Sequence, residues 1–215
     1  MSDIKRDFDK EAASWDDKPA RVKIIRDIAE AIAATIRLTT AMDVLDFGCG
    51  TGLLTLQLHP FVHSITGIDS SQGMLDVLNS KIKEQNLTNV KTSFFDIEKD
   101  GALRGNYHLI TSSMTLHHIK NVPPALDQFY NILLPGGMLC IADLDSDDGE
   151  FHENNDGVFH FGFNRKNLAG IMEKAGFRDI TARTAATVTK PVQGGKMREF
   201  TVFLITGKKS DLKIS

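Results

Sequence analysis

Three glycines on alternate positions, Gly48, Gly50 and Gly52, follow the apolar run Val44-Leu45-Asp46-Phe47. This reads as a buried strand turning into a helix, with no Cβ where the polar end of a ligand approaches the backbone. The first N–H groups of that helix lie just beyond and attract an anionic group. Asp46 adds a fixed negative charge before the turn, which repels a pyrophosphate and suits an ammonium. Asp69, 17 residues after Gly52, closes a second strand-like run and can accept both hydroxyls of a ribose. Asp96 follows Phe94-Phe95 and can accept an adenine amino group, with Ile97 as an apolar face. The glycine spacing is G-x-G-x-G, whereas a dinucleotide fold needs its third glycine one residue later. A ligand with ammonium, carboxylate, ribose and adenine matches this set of groups, which describes S-adenosylmethionine.

Proton-handling candidates form two groups. His117 and His118 follow a fourth strand, and an imidazole near its ordinary pKa of about 6.5 can act as a base. The segment 143–164 carries Asp143, Asp145, Asp147, Asp148 and Glu150, then His152, His160, Phe151, Phe159, Phe161 and Phe163. It exceeds an ordinary connection and reads either as an active-site lid over 144–164 or as a surface loop with solvated acids. As a lid its four Phe would wall off water, and His152 or His160 would meet the substrate. Asp143, Asp145 and Asp147 resemble half of a calcium loop but lack its glycine and terminal Glu, so no metal is expected.

These residues need strands to carry them. Strand-like runs are Asp43–Phe47, Ser64–Ile68, Val90–Phe94, Tyr107–Ser112 and Met138–Ala142, the last fed by a tight turn at Pro135-Gly136-Gly137. Helical patterns fall between them, at 21–36, from near Gly52 to Pro60, at 72–84 behind the possible cap Ser70-Ser71, and at 123–133. A further helix, Arg165 to Ala175, ends at Gly176, and two β-like runs follow, Thr181–Thr189 and Phe200–Thr206. Alternating strands and helices imply a mostly parallel sheet covered on both faces, with an antiparallel addition at one edge. Ligands then sit beyond the carboxyl ends of the strands, where the glycine turn, Asp69, Asp96 and Ser112–His118 converge. Residues 1–40 read as an N-terminal helical cap, in which Trp15 or Phe8 either packs on the surface or lies over the ligand. Residues 41–209 form the main domain, and 210–215 a frayed tail.

The 215 residues suit one domain with an appended element. A net charge of −3 offers no basic face for nucleic acid. No apolar run reaches the length that crosses a bilayer, and the N-terminus lacks a signal peptide's apolar core. Cys49 and Cys140 sit in apolar strands and read as buried thiols. These features point to a cytoplasmic protein, with its oligomeric state open.

Val44 to Gly52 closely resembles the first motif of class I S-adenosylmethionine-dependent methyltransferases. Gly67-Ile68-Asp69-Ser70-Ser71-Gln72-Gly73-Met74-Leu75 is similar to their second, and Asp96-Ile97 to their third. Ser112-Ser113-Met114-Thr115-Leu116-His117-His118 and Leu133 to Leu139 resemble the type 11 (UbiE-like) branch. The likeness covers roughly residues 8 to 145 and departs at His108, where the branch usually has Asp. It implies an α/β Rossmann-like three-layer sandwich with a mostly parallel seven-stranded sheet and an antiparallel edge strand. It also implies that Asp46, Gly48, Cys49, Gly50 and Gly52 flank the methionine end, that Asp69 holds the ribose, that Ser70 belongs to the cofactor-binding set, and that Met74, Asp96 and Ile97 border adenine. Ser112 or Ser113 would line the pocket beside the methionyl chain, with Trp15 as a covering residue. The function expected is methyl transfer to a small-molecule acceptor; protein methylation and non-catalytic S-adenosylmethionine binding are the alternatives. A dinucleotide oxidoreductase is disfavoured by the glycine spacing and Asp46.

Overall fold

The computed structural model describes residues 6–192 and 194–211. Seven strands form one sheet: β1 (Asp43–Phe47), β2 (Ser64–Asp69), β3 (Val90–Phe94), β4 (Tyr107–Ser113), β5 (Leu133–Leu144), β6 (Arg178–Pro191) and β7 (Met197–Lys208), in the order β3-β2-β1-β4-β5-β7-β6. β1 to β5 pair in parallel, and β7 runs antiparallel to both its neighbours. The expected antiparallel addition is therefore the β6–β7 hairpin, whose antiparallel member β7 sits one place in from the edge. Strand order reverses between β1 and β4, which opens a crevice at their carboxyl ends.

The central strands are buried on both faces, so they read as continuous apolar runs rather than alternating ones. One face is covered by α2 (Pro19–Thr35), through Ile25, Ile28 and Ile32, together with Leu54 and Leu58 around α3 (Thr55–Leu58). The other is covered by α5 (Val122–Ile132) and α6 (Arg165–Lys174), through Leu126, Phe129, Leu168 and Met172. Pro19 begins α2 where its missing N–H costs nothing. α4 (Gln72–Glu84) is capped by Ser71, whose Oγ accepts the Met74 N–H, and ends with Lys81 and Lys83 beside its negative terminus.

Two expectations change. α2 belongs to the core, so the helical cap expected over 1–40 narrows to α1 (Phe8–Glu11) and the 3₁₀ turn Ala12–Asp17. β5 starts at Leu133, so Pro135-Gly136-Gly137 forms an irregularity inside the strand rather than a turn before it; its register against β4 shifts between Tyr107 and Leu109. The tail is anchored as far as Lys209, whose N–H donates to Gly137 O and whose Nζ donates to Tyr130 O and Leu133 O. Residues 212–215 of the expected frayed tail lie outside the described residues. Among the described residues no helix is long and apolar enough to cross a membrane.

Candidate functional site

The glycine loop leaves β1 with Gly48, Gly50 and Gly52 all at positive φ (+70°, +54° and +83°). Their surroundings differ. A Cβ on Gly48 would strike the Thr115 side chain at 2.2 Å, and one on Gly52 would strike Leu78 at 2.2 Å. A Cβ on Gly50 would meet no heavy atom within 4 Å. Gly48 and Gly52 thus serve close packing, while Gly50 faces open space. The Gly50 N–H donates to Asp69 Oδ2 at 2.8 Å, and Asp69 Oδ1 accepts the Ser71 N–H at 2.9 Å. Burial raises the Asp69 carboxyl above its ordinary value against these backbone donors.

Two expected loop contacts are corrected. Asp46 is buried, with Oδ2 accepting from Thr55 Oγ1 at 2.5 Å and Oδ1 from Thr111 Oγ1 at 2.9 Å. It ties β1 to β4 and to α3 instead of presenting an open carboxylate to an ammonium. Burial pushes its carboxyl up to about 6. The Cys49 side chain packs with Leu75 and Leu78 and stands where a Gly67 Cβ would fall, so its sulfur fills the β2–α4 seam. Burial and the neighbouring Asp46 and Asp69 push its thiol up.

Met74 is buried at the head of α4, and Ser70 directs its N–H at Asp69. Asp96 is buried after β3, accepting the Glu98 N–H and lying 3.1 Å from Lys99, and Ile97 packs against the α5 face. Ser112, in register with Phe47, and Ser113 end β4 with buried Oγ atoms that have no hydrogen-bond partner. Met114 then turns the chain at φ +54°, and Thr115 Oγ1 reaches Gly48 O at 3.2 Å. This seats the 3₁₀ turn Leu116–His118 directly on the glycine loop.

Three of the four candidate histidines gather there. His117 is buried; its Nδ1–H donates to Asp143 Oδ1 at 2.7 Å, its backbone N–H to Asp143 Oδ2 at 3.2 Å, and its Nε2 has no partner. His118 Nδ1–H donates to Gly157 O at 2.8 Å, and its ring meets the edge of Phe8. Ring centroids of His117 lie 4.1 Å from His118 and 5.0 Å from His152, whose Nε2 is also buried without a partner. Burial lowers the His118 pKa well below its ordinary value and brings His152 to about 3, so both rings are neutral. His160 is different: its backbone N–H donates to His117 O at 3.3 Å, but its Nε2–H donates to Ile119 O and its ring lies on Phe163.

The long segment is neither expectation in pure form. Asp145 holds Arg165 through both oxygens and accepts from Thr201 Oγ1, while Arg198 pairs with Glu150. Those acids are partnered rather than solvated. Phe151 packs on Phe200 and Phe163 on the α5 face, but Phe159 and Phe161 are exposed at 36% and 45%, so only two of the four rings wall off water. Among the described residues no group of three or more His, Cys, Asp or Glu, Asp143, Asp145 and Asp147 included, is placed to hold a metal ion.

Several site contacts gave no signal in the sequence. Asp9 Oδ1 accepts from Ser71 Oγ at 2.5 Å and from the Gly73 N–H at 2.8 Å, so an acid of α1 sits at the head of α4. Asp16 takes Thr51 Oγ1 at 2.6 Å and pairs with Lys81, whose Nζ also donates to Thr51 O. Trp15 is sandwiched by Arg21, 3.4 Å from its ring centre, and the Phe8 edge. Arg6 abuts Gly157, so the N-terminal segment and the lid meet above His118. Asp143 was legible only through topology, since β5 must neighbour β4. His108, the departure from the branch pattern, accepts the Asp43 N–H at the opposite sheet end.

A Rossmann-like seven-stranded sheet with a glycine loop, a β2 carboxylate and buried unpartnered groups on one carboxyl edge defines a class of adenosyl-ligand folds. The chain belongs to the S-adenosylmethionine-dependent methyltransferase family: a model described as "Methyltransferase domain" matches residues 19–182. It is 35% identical over 123 residues to an uncharacterized methyltransferase of Schizosaccharomyces pombe, covering 54% of this chain and 43% of that protein. It is 29% identical over 112 residues to a demethylmenaquinone methyltransferase of Listeria welshimeri, covering 50% and 47%. Each match spans less than half the length of the curated relative. In fold it is similar to Haemonchus contortus phosphoethanolamine N-methyltransferase 2 in complex with S-adenosyl-L-methionine, with a TM-score of 0.68, 18% identity, and coverage of 85% of this chain and 52% of that one.

Proposed function

We propose that the chain transfers a methyl group from S-adenosylmethionine to a small-molecule acceptor. The observation that carries this reading is that four of the five buried side-chain atoms without partners among the described residues, Ser112 Oγ, Ser113 Oγ, His117 Nε2 and His152 Nε2, fall on the strand-end turn and the lid beside a glycine loop whose Gly50 faces open space. Buried polar groups are ordinarily satisfied, so a group of them at a strand-end crevice calls for a polar ligand. S-adenosylmethionine, once bound, supplies an electrophilic methyl on a sulfonium leaving group, so that aligning the acceptor accounts for much of the rate.

Asp69 and Ser70 would hold the ribose, Gly50 would admit the methionine end, and Met74, Asp96 and Ile97 would border adenine. Asp46 and Cys49 would support the loop from behind, and Trp15 would brace the covering segment. A compact acceptor fits because the N-terminal segment and the lid meet above His118. The relatives named above for demethylmenaquinone and phosphoethanolamine also have small acceptors in their names. The buried thiols suit a reducing cytoplasm.

Titration calorimetry with S-adenosylmethionine, followed by a turnover screen of metabolite pools read by a 14 Da-type mass gain (about one methylene), tests the reading. Binding without any methylated product would favour a non-catalytic S-adenosylmethionine protein. Asp69→Ala should lower affinity at least tenfold and, because it also releases the Gly50 and Ser71 N–H groups, cost about 1–3 kcal/mol of stability. Unchanged affinity in the calorimeter would count against the ribose assignment.

A further inference from the structure

The side chain of His117 is almost completely buried, yet only one of its two ring nitrogens is used. Asp143, at the carboxyl end of β5, takes both the Nδ1–H and the backbone N–H of His117, and its Oδ1 also accepts the Leu144 N–H at 2.7 Å. A carboxylate held by three donors only accepts, so it directs a proton onto His117 Nδ1, and in the neutral ring Nε2 is then the lone-pair acceptor. That acceptor has no partner in the protein, and His152 Nε2, on a ring 5.0 Å away and brought in by the lid, has none either. The two atoms belong to separate elements that the fold brings together, and Phe8 and His118 close one side. An orphaned acceptor of this kind is costly unless a ligand donor meets it.

We propose that His117 is the base of the reaction, that Asp143 is the residue positioning it, and that the methyl acceptor carries an acidic hydroxyl or thiol rather than an amine. This rests on the methyltransferase reading above. The acceptor's X–H bond gives its proton to His117 Nε2 while its X atom forms the new bond to the methyl carbon. The carbon–sulfur pair stays on sulfur, leaving neutral S-adenosylhomocysteine, and the imidazolium formed is stabilised by Asp143. An amine needs no base during attack: it must arrive neutral, and its proton can leave afterwards to water. A fixed, desolvated lone pair is what an acidic X–H requires. The charged and titratable groups facing this ring are Asp143 from β5, His118 from its own turn, His152 from the lid, and Arg6 and Lys190, whose charges act on His118 or His152.

The experiment uses full-length protein labelled with ¹⁵N-histidine and saturated with S-adenosylhomocysteine. Its probes are 4-nitrophenol and the near-isosteric 4-nitroaniline. Expected is a neutral Nδ1–H tautomer for His117, an Nε2 resonance that moves with nitrophenol and not with nitroaniline, and phenolate absorbance of the bound probe. His117→Gln should weaken nitrophenol at least tenfold while S-adenosylhomocysteine binds within twofold of wild type. Asp143→Asn should shift the tautomer toward Nε2–H; because Asp143 also anchors two backbone N–H groups, the wild-type spectrum and His117→Gln decide the matter if that variant does not fold. An Nε2–H tautomer in wild type, or an Nε2 signal that responds to neither probe or equally to both, overturns the proposal. Failure of S-adenosylhomocysteine to bind at all would instead overturn the underlying methyltransferase reading.

Discussion

At the residue scale, the three loop glycines look alike in sequence and differ in what surrounds them. Alanine at Gly50 meets open space, so its stability cost is that of the left-handed backbone alone, about 1–2 kcal/mol. Its methyl occupies the space left for the ligand, so S-adenosylmethionine affinity should fall at least tenfold in calorimetry. Alanine at Gly48 or Gly52 collides with Thr115 or Leu78 as well, and should reduce melting temperature far more than Gly50→Ala does. Asp46 gives a second residue-scale prediction. Its folded pKa of about 6 lies above the unfolded value, so the folded state holds a proton that the unfolded state has lost between pH 4 and 6. Stability from this group therefore falls as pH rises through that window, and above it the cost of a buried charge is fully present. Asp46→Asn should keep the Thr55 and Thr111 contacts and abolish that component, raising urea-midpoint stability at pH 7 relative to pH 5. An unchanged pH slope in the variant would refute the assignment.

At the element scale, the functional geometry depends on segments that add little to the core. The turn Ala12–Asp17 is fastened to the glycine loop mainly by Asp16, which bridges Thr51 and Lys81, and α1 is fastened to α4 by Asp9. These are partly exposed polar ties, each worth about 1 kcal/mol or less. Asp16→Ala should accordingly lower the melting temperature by only about 2–4 °C, since 1 kcal/mol moves a domain of this size by about that much. It should raise amide exchange across residues 8–17 and weaken S-adenosylmethionine binding several-fold. If exchange there is unaltered, the N-terminal segment is held by its aromatic contacts instead. On the other side, Asp145 with Arg165 and Thr201 sets where the lid leaves β5, which carries His152 to His117 and leaves His160 on Ile119. Turnover should therefore respond to His152→Ala and not to His160→Ala.

At the scale of the whole molecule, the sheet buries titratable groups whose proton affinities oppose one another. His118 and His152 are held neutral by burial, with pKa values below those of the unfolded chain. The stability they contribute is complete above about pH 6.5 and is lost progressively on acidification, His152 reaching its own pKa only near 3. In an Asp46→Asn background, where the opposing slope is removed, the protein should melt several degrees lower at pH 5 than at pH 7. Adding His152→Phe should reduce that difference. Thermal denaturation at the two pH values checks both statements.

Much of this molecule was readable from residue order. β1 begins and ends where its apolar run does, because a central strand of a parallel sheet declares itself by burial and by the turn residues that bound it. The convergence of the glycine loop, Asp69, Asp96 and Ser112–His118 followed from the rule that parallel strands present their carboxyl ends together. What the sequence could not decide is where a side chain points once it is buried. Asp46 and Cys49 lie in the glycine-loop motif yet face Thr55, Thr111, Leu75 and Leu78, since strand direction and helix packing choose the face. His152 and His160 are eight residues apart in one lid; only the anchoring of that lid separates the one beside His117 from the one tied to Ile119. The pairing of His117 with Asp143 spans 26 residues, and it exists because β4 and β5 are neighbours in the sheet, a contact that no local pattern encodes.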